Sequence, residues 1–185
     1  MTSFLREVSR RVFAQELRES DFASKDESDQ YAPQYILTPT GAKVNRIFLV
    51  GVLIEKEDIG TDSEYWRGKV SDPTGTFTIY AGQYHPEAAQ FLSDCEPPAL
   101  VAVVGKTSTY TTDDGNVITS IRPESIQEVD EITRDLWILD TAKQTLERIK
   151  EVEAEKDPNS KLAKEHYSTD TDYYRSMVKK AIESI

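Results

Sequence analysis

Tyr80 and Tyr110 are aromatic, and Arg67, Lys69 and Lys106 are cationic. Aromatic rings stack on nucleobases for about 1–3 kcal/mol per base, and cations follow the phosphates of a single strand. These five side chains carry that chemistry only if one surface presents them, and strand alternation supplies such a surface. With Phe77, Ile79 and Ala81 turned toward a core, Thr76, Thr78 and Tyr80 turn outward. With Trp66 and Val70 turned in, Arg67 and Lys69 turn out beside them. Lys106 begins a run that reaches Tyr110 near the tip of a long hairpin. Each has a plainer role as well: Tyr80 as a barrel cap, Tyr110 as an ordinary hairpin residue, the cations as solvated surface. Trp66 reads as core, because its neighbours in the pattern are apolar.

Other chemistries find little support. His85 opens a helix-like run and His166 lies near the end of the chain, so neither has a serine, cysteine or carboxylate pair in its local sequence. Cys95 has no adjacent cation to lower its pKa, and a single cysteine with two histidines makes neither an internal disulfide nor a Cys/His zinc site. No glycine-rich phosphate loop is present. The expectation is a non-enzyme with no cofactor and no metal.

The 185 residues suit one domain of ordinary size with appendages. A hydrophobic fraction of 38% and a mean hydropathy of −0.54 allow a modest core. No run approaches the roughly 18 apolar residues of a membrane span, so an unexported cytoplasmic protein with no membrane partner is expected. Net charge is −11, and residues 44–129 hold six basic against thirteen acidic residues. A broad basic footprint is therefore excluded, and contact with phosphates must come from a local cluster.

The elements that would position these residues follow from periodicity. Phe4, Leu5, Val8, Val12, Phe13 and Leu17 recur at three- and four-residue steps and predict an amphipathic helix over 3–19. Ser20–Gln30 is polar and acidic, the composition of a flexible linker. Short β-rich runs then occupy Arg46–Glu57, Tyr65–Asp72, Thr76–Gly82, Ala99–Thr111 and Asn116–Val129, with a helical run at His85–Asp94 between the third and fourth. Gly51 sits mid-run in the first, where a strand bends or bulges. Asp72-Pro73-Thr74-Gly75 fits a type I turn, and Asp113-Asp114-Gly115 marks a hairpin. Three strands, a helix and two strands is the order of a five-stranded OB-fold barrel. From Asp130 the helical period returns, with Ile132, Leu136, Leu139, Ala142, Leu146 and Ile149 on one stripe of a helix over about 131–155. A helix of that length, about 37 Å, overshoots a barrel whose strands span about 20 Å. The stripe is therefore expected to pack on a partner chain or on another helix of this chain. The organisation reads as 1–33, N-terminal helix and acidic linker; 34–129, OB-fold domain; 130–156, assembly helix; 157–185, helical tail.

The segments VNRIFLVGVLIE, WRGKVSDPTGTFTIYAGQYHPEAAQFL, PPALVAVVGK and IRPESIQEVD together resemble the archaeal replication-protein-A-associated proteins, over residues 3–150. That family is similar to the middle-sized subunit of eukaryotic replication protein A, whose OB barrel precedes a helix that joins a three-chain bundle. The resemblance implies an OB-fold, a role with single-stranded DNA in replication and repair, and assembly with a larger replication protein A subunit. It also favours Tyr110 as a stacking residue, since related subunits place an aromatic after a similar strand. The eukaryotic winged-helix domain is not carried over, because 157–185 is too short for one. Two other functions remain open: an assembly scaffold with little direct DNA contact, and an RNA-binding OB-fold protein.

Overall fold

The computed structural model describes residues 6–185. Five strands close into a barrel: β4 (Arg46–Asp58), β5 (Trp66–Asp72), β6 (Gly75–Ala81), β7 (Ala99–Thr111) and β8 (Val117–Glu128), in the order β4-β5-β6-β8-β7. Helix α2 (Pro86–Asp94) lies between β6 and β7, as the OB-fold requires. All neighbouring strands are antiparallel except β6 and β8, which pair in parallel through Ile79 and Ile121. Alternation fills the interior with Ile47, Leu49, Leu53, Val70, Phe77, Ile79, Val101, Val103 and Ile121, and α2 adds Leu92.

Glycine matters where backbones meet. A β carbon on Gly51 would lie 2.4 Å from the Ser71 carbonyl oxygen, so this residue allows the close approach of β5. The irregularity in that strand falls later, between Leu53 and Glu55. The matching irregularity of β7 falls between Val104 and Gly105, opposite Pro123.

The N-terminal segment departs from the helix expected over 3–19. Helix α1 spans only Ala14–Arg18, and Phe4 and Leu5 lie outside the described residues. Arg10 instead forms a parallel bridge with Ile47: its N–H donates to the Arg46 carbonyl at 2.8 Å, and its carbonyl accepts from Phe48 N–H at 3.0 Å. The first half of β4 has β7 on one side and no β5 on the other, so its free backbone groups claim the segment for β pairing. Val12, Phe13 and Leu17 are still buried, whereas Val8 is exposed. The acidic stretch after α1 is also not wholly free. It carries β1 (Phe22–Ser24), which pairs with β2 (Tyr35–Leu37), and β2 pairs with β3 (Lys43–Val44) in a small second sheet.

Helix α3 spans Glu131–Ala154, capped by the Asp130 carboxylate on Thr133 N–H at 2.8 Å. Helices α4 (Pro158–Tyr167) and α5 (Thr171–Glu183) fold back along it. Tyr174, Met177, Val178 and Ala181 of α5 join the same core as Trp137, Ile138, Ala142 and Ile149 of α3. Trp137 meets Phe13 edge-on at 5.7 Å and donates Nε1–H to the Phe48 carbonyl, which fixes α3 to the barrel.

Two buried carboxylates hold α1 in place. Asp72 accepts from Ala14 N–H at 2.7 Å and from the N–H groups of Thr74 and Gly75 in its own turn. Burial pushes its carboxyl above the ordinary aspartate range against the opposing pull of those donors. Glu16 is fully buried and joins three parts of the chain. Its Oε2 accepts from Phe13 N–H at 2.6 Å and from Thr145 of α3 at 3.2 Å. Its Oε1 accepts from Thr40 at 2.6 Å and from Arg148 of α3 at 3.3 Å. Removing one member of such a network strands the others without partners, at about 3–5 kcal/mol. Glu16→Ala should therefore lower the unfolding free energy by about that much in a urea titration. A loss within about 0.5 kcal/mol would show that the network contributes nothing net.

Candidate nucleic-acid interface

Strand register arranges outward side chains in a row that crosses the barrel. Arg67 of β5 pairs with Tyr80 of β6, Lys106 of β7 with Arg122 of β8, and Arg46 of β4 with the same Lys106. The parallel match of Ile79 with Ile121 sets Tyr80 and Arg122 one position further along their adjoining strands. The order is thus Arg67, Tyr80, Arg122, Lys106, Arg46. At about 4.8 Å per strand, Tyr80 to Arg46 spans about 14 Å. Gly105 makes the centre of the row possible, since a β carbon there would lie 2.4 Å from the Arg122 carbonyl oxygen.

An aromatic wall stands at one end. Tyr65 and Tyr80 stack with ring centroids 5.9 Å apart and planes 15° from parallel. The 59–65 loop that presents Tyr65 is held by Asp58, whose Oδ1 accepts from Gly60 N–H at 3.0 Å and Tyr65 N–H at 3.1 Å. Only glycine fits at position 60, because a β carbon would lie 1.8 Å from the Ser63 carbonyl oxygen. The two tyrosines line a cleft of about 610 Å³ with Asp62, Tyr84, His85 and Arg122. An already ordered ring pair loses little further side-chain freedom when a flat ligand stacks on it.

The cations of the row differ in their partners. Arg67 is paired with Glu57 at 2.5 Å and Lys69 with Glu55 at 3.2 Å, so the outer face of β4 and β5 is neutralised pair by pair. Arg46 is buried and shares Glu124 with Arg6, at 3.0 and 2.8 Å. Lys106 and Arg122 are exposed, and neither has an ion-pair partner among the described residues. Among the described residues Arg122 reaches the Ser108 hydroxyl alone, at 3.4 Å. The positive potential of this face is therefore concentrated at the Lys106–Arg122 pair.

Of the residues expected from sequence, Arg67, Tyr80 and Lys106 fall on this row. Lys69 lies one outward position further along β5, opposite Thr78. Tyr110 is 66% exposed and faces Ile118 on the hairpin, outside the tyrosine-lined cleft. Trp66 is half-buried and packs against the core. Tyr65, Tyr84 and Arg122 escape the sequence reading. The two tyrosines sit in or beside loops, where alternation says nothing. Arg122 was legible: it and Lys106 each stand eight residues from Asp114 at the hairpin tip, and the register pairs them.

The expected stripe of α3 is divided. Ala142 and Ile149 are buried against this chain's own helices and Leu146 is half-buried, whereas Ile132, Leu136 and Leu139 remain 70%, 57% and 47% exposed. No helix of the described residues is long and apolar enough to cross a membrane.

No known family model matches the chain, and no curated protein matches it in sequence. Among solved structures, the mitochondrial single-stranded DNA binding protein Rim1 of S. cerevisiae is similar at 23% identity and a TM-score of 0.37, over 47% of this chain and 95% of that one. The second single-stranded DNA binding protein (SSBb) of Mycobacterium smegmatis is similar at 17% identity and a TM-score of 0.40, over 49% and 89%. OBody NL8, solved bound to hen egg-white lysozyme, shows 15% identity and a TM-score of 0.40, over 46% and 94%. At these scores the likenesses carry no weight for function.

Proposed function

We propose that this chain is a non-catalytic subunit of an archaeal replication protein A complex and binds single-stranded DNA in replication and repair. The observation that carries the proposal is the unpaired Lys106–Arg122 couple set beside the stacked Tyr65–Tyr80 wall on one barrel face. Rings and unpaired cations at this spacing suit a flexible strand that offers bases and phosphates alternately. Tyr80 stacks, and Lys106 with Arg122 takes phosphate. The strand path set by these groups leaves Tyr110, on the hairpin, to one side. Arg67 and Lys69 join when phosphate displaces Glu57 and Glu55. The larger replication protein A subunit is the partner, and Ile132, Leu136 and Leu139 are the part of the α3 stripe left to receive it.

A specific observation favours a second reading, that of an assembly scaffold. Pairing of Arg67 and Lys69 with carboxylates, in a chain of net charge −11, leaves a small cationic surface for DNA. Titration of labelled oligothymidylate and oligouridylate at two salt concentrations separates these functions. Direct binding predicts that Lys106→Ala with Arg122→Ala flattens the dependence of log K on log salt by about 1.4, at about 0.7 per phosphate. Tyr80→Ala should cost about 1–3 kcal/mol of affinity. Folded variants that bind as the parent does would favour the scaffold, and much tighter binding of RNA than DNA would overturn the replication role.

The partner has its own test. Leu136→Glu with Leu139→Glu places charges on side chains already exposed, so the fold should tolerate them within about 0.5 kcal/mol. Co-purification with the larger subunit should nevertheless be lost, because a buried interface cannot accept two unpaired charges. Retained complex would place the interface elsewhere.

A further inference from the structure

A second and larger cleft adjoins the tyrosine-lined one. It measures about 1000 Å³ and shares Arg122 and His85 with its neighbour. Its lining includes Lys106, Arg122 and Arg46 together with Tyr31, Pro33 and Gln34. We infer that this cleft is a second nucleotide subsite, in which Tyr31 stacks on a base whose phosphate is held by Lys106 and Arg122. The inference rests on the proposed binding of single strands and adds to it the path of the strand and the residue that ends it.

Four observations support the subsite. The cleft lies at the end of the row opposite Tyr80, so a strand stacked on Tyr80 and held by Arg122 continues into it without changing direction. Its net charge is positive: Arg6, Arg46, Lys106 and Arg122 outnumber Glu7 and Glu124 in its lining, and Lys106 and Arg122 have no ion-pair partner among the described residues. Its floor is polar and deeply set: Asn45 and Arg46 are only 7% and 8% exposed. Asn45 donates its Nδ2 to the Gln34 carbonyl at 2.8 Å, while its Oδ1 and Arg46 Nε, both buried from solvent, have no partner among the described residues. Finally, Tyr31 is 84% exposed, with its backbone N–H fixed by Asp29 Oδ1 at 2.9 Å, so its ring is available on an anchored turn.

The path separates this arrangement from one that runs up the hairpin. Tyr110 lies four residues beyond Lys106, about 13 Å along β7, and lines neither cleft. A strand that follows the row crosses β6, β8, β7 and β4 and leaves Tyr110 to one side.

The experiment compares oligothymidylates of two and eight nucleotides on the parent chain and on Tyr31→Ala, Tyr80→Ala and Tyr110→Ala. Tyr31→Ala is expected to weaken the eight-nucleotide ligand about tenfold and to leave the dinucleotide unchanged, while Tyr80→Ala weakens both. Tyr110→Ala should match the parent. A Tyr31→Trp variant should show its indole fluorescence quenched by the longer ligand only. If Tyr80→Ala weakens binding while Tyr31→Ala does not and Tyr31→Trp is unquenched, the second subsite is wrong and single-strand binding stands. If the parent chain binds neither ligand, single-strand binding and the subsite fall together.

Discussion

The pairing of β7 with β8 is the constraint on which the functional face depends. These strands run together from Val101 and Glu128 to Thr111 and Val117, and the Asp113–Gly115 turn sets their register. A slip of β8 by one residue would send Arg122 into the core and bring Ile121 to the surface. Because the barrel is closed, the same register fixes where β4 and β6 meet the hairpin, and hence where Arg46 and Tyr80 lie. Gly105 and Pro123 absorb the irregularity next to the cations. The row is a consequence of barrel closure, with no separate element built to hold it.

The helices serve a different end. The N-terminal segment covers the edge of β4 that β5 leaves open, and Glu16 ties that segment to α3 and to the turn at Thr40. Trp137 sets α3 against β4, and α4 and α5 bury one of its faces. The candidate row runs over β5, β6, β8, β7 and β4, whereas the exposed leucines lie on α3.

Much of this architecture was legible in the residues. The five strand runs, α2, the two turns and the start of α3 follow from alternation, helical spacing and turn chemistry, all of which are local. The misreadings have non-local causes. Val8, Val12 and Phe13 carry a helical period, yet the unpaired edge of β4 competes for their backbone, and a pattern of side chains does not reveal a free edge. On α3, the buried face includes Thr141 and Thr145, which an apolar stripe omits, and Thr145 is buried because it bonds Glu16. At the candidate site, alternation found Tyr80 and Lys106. Tyr65 and Tyr84 depend on loop shapes set by Asp58, Gly60 and Gly82, and no periodicity reports those.

The most direct measurement is photocross-linking of a bromouracil-substituted single strand to the intact chain, with the modified residues located by mass spectrometry. Binding across the barrel row predicts adducts at Tyr65, Tyr80 or Tyr84, lost when Lys106 and Arg122 are replaced by alanine. Adducts confined to the helices, or unchanged by those replacements, would contradict the assignment of this face as the nucleic-acid interface.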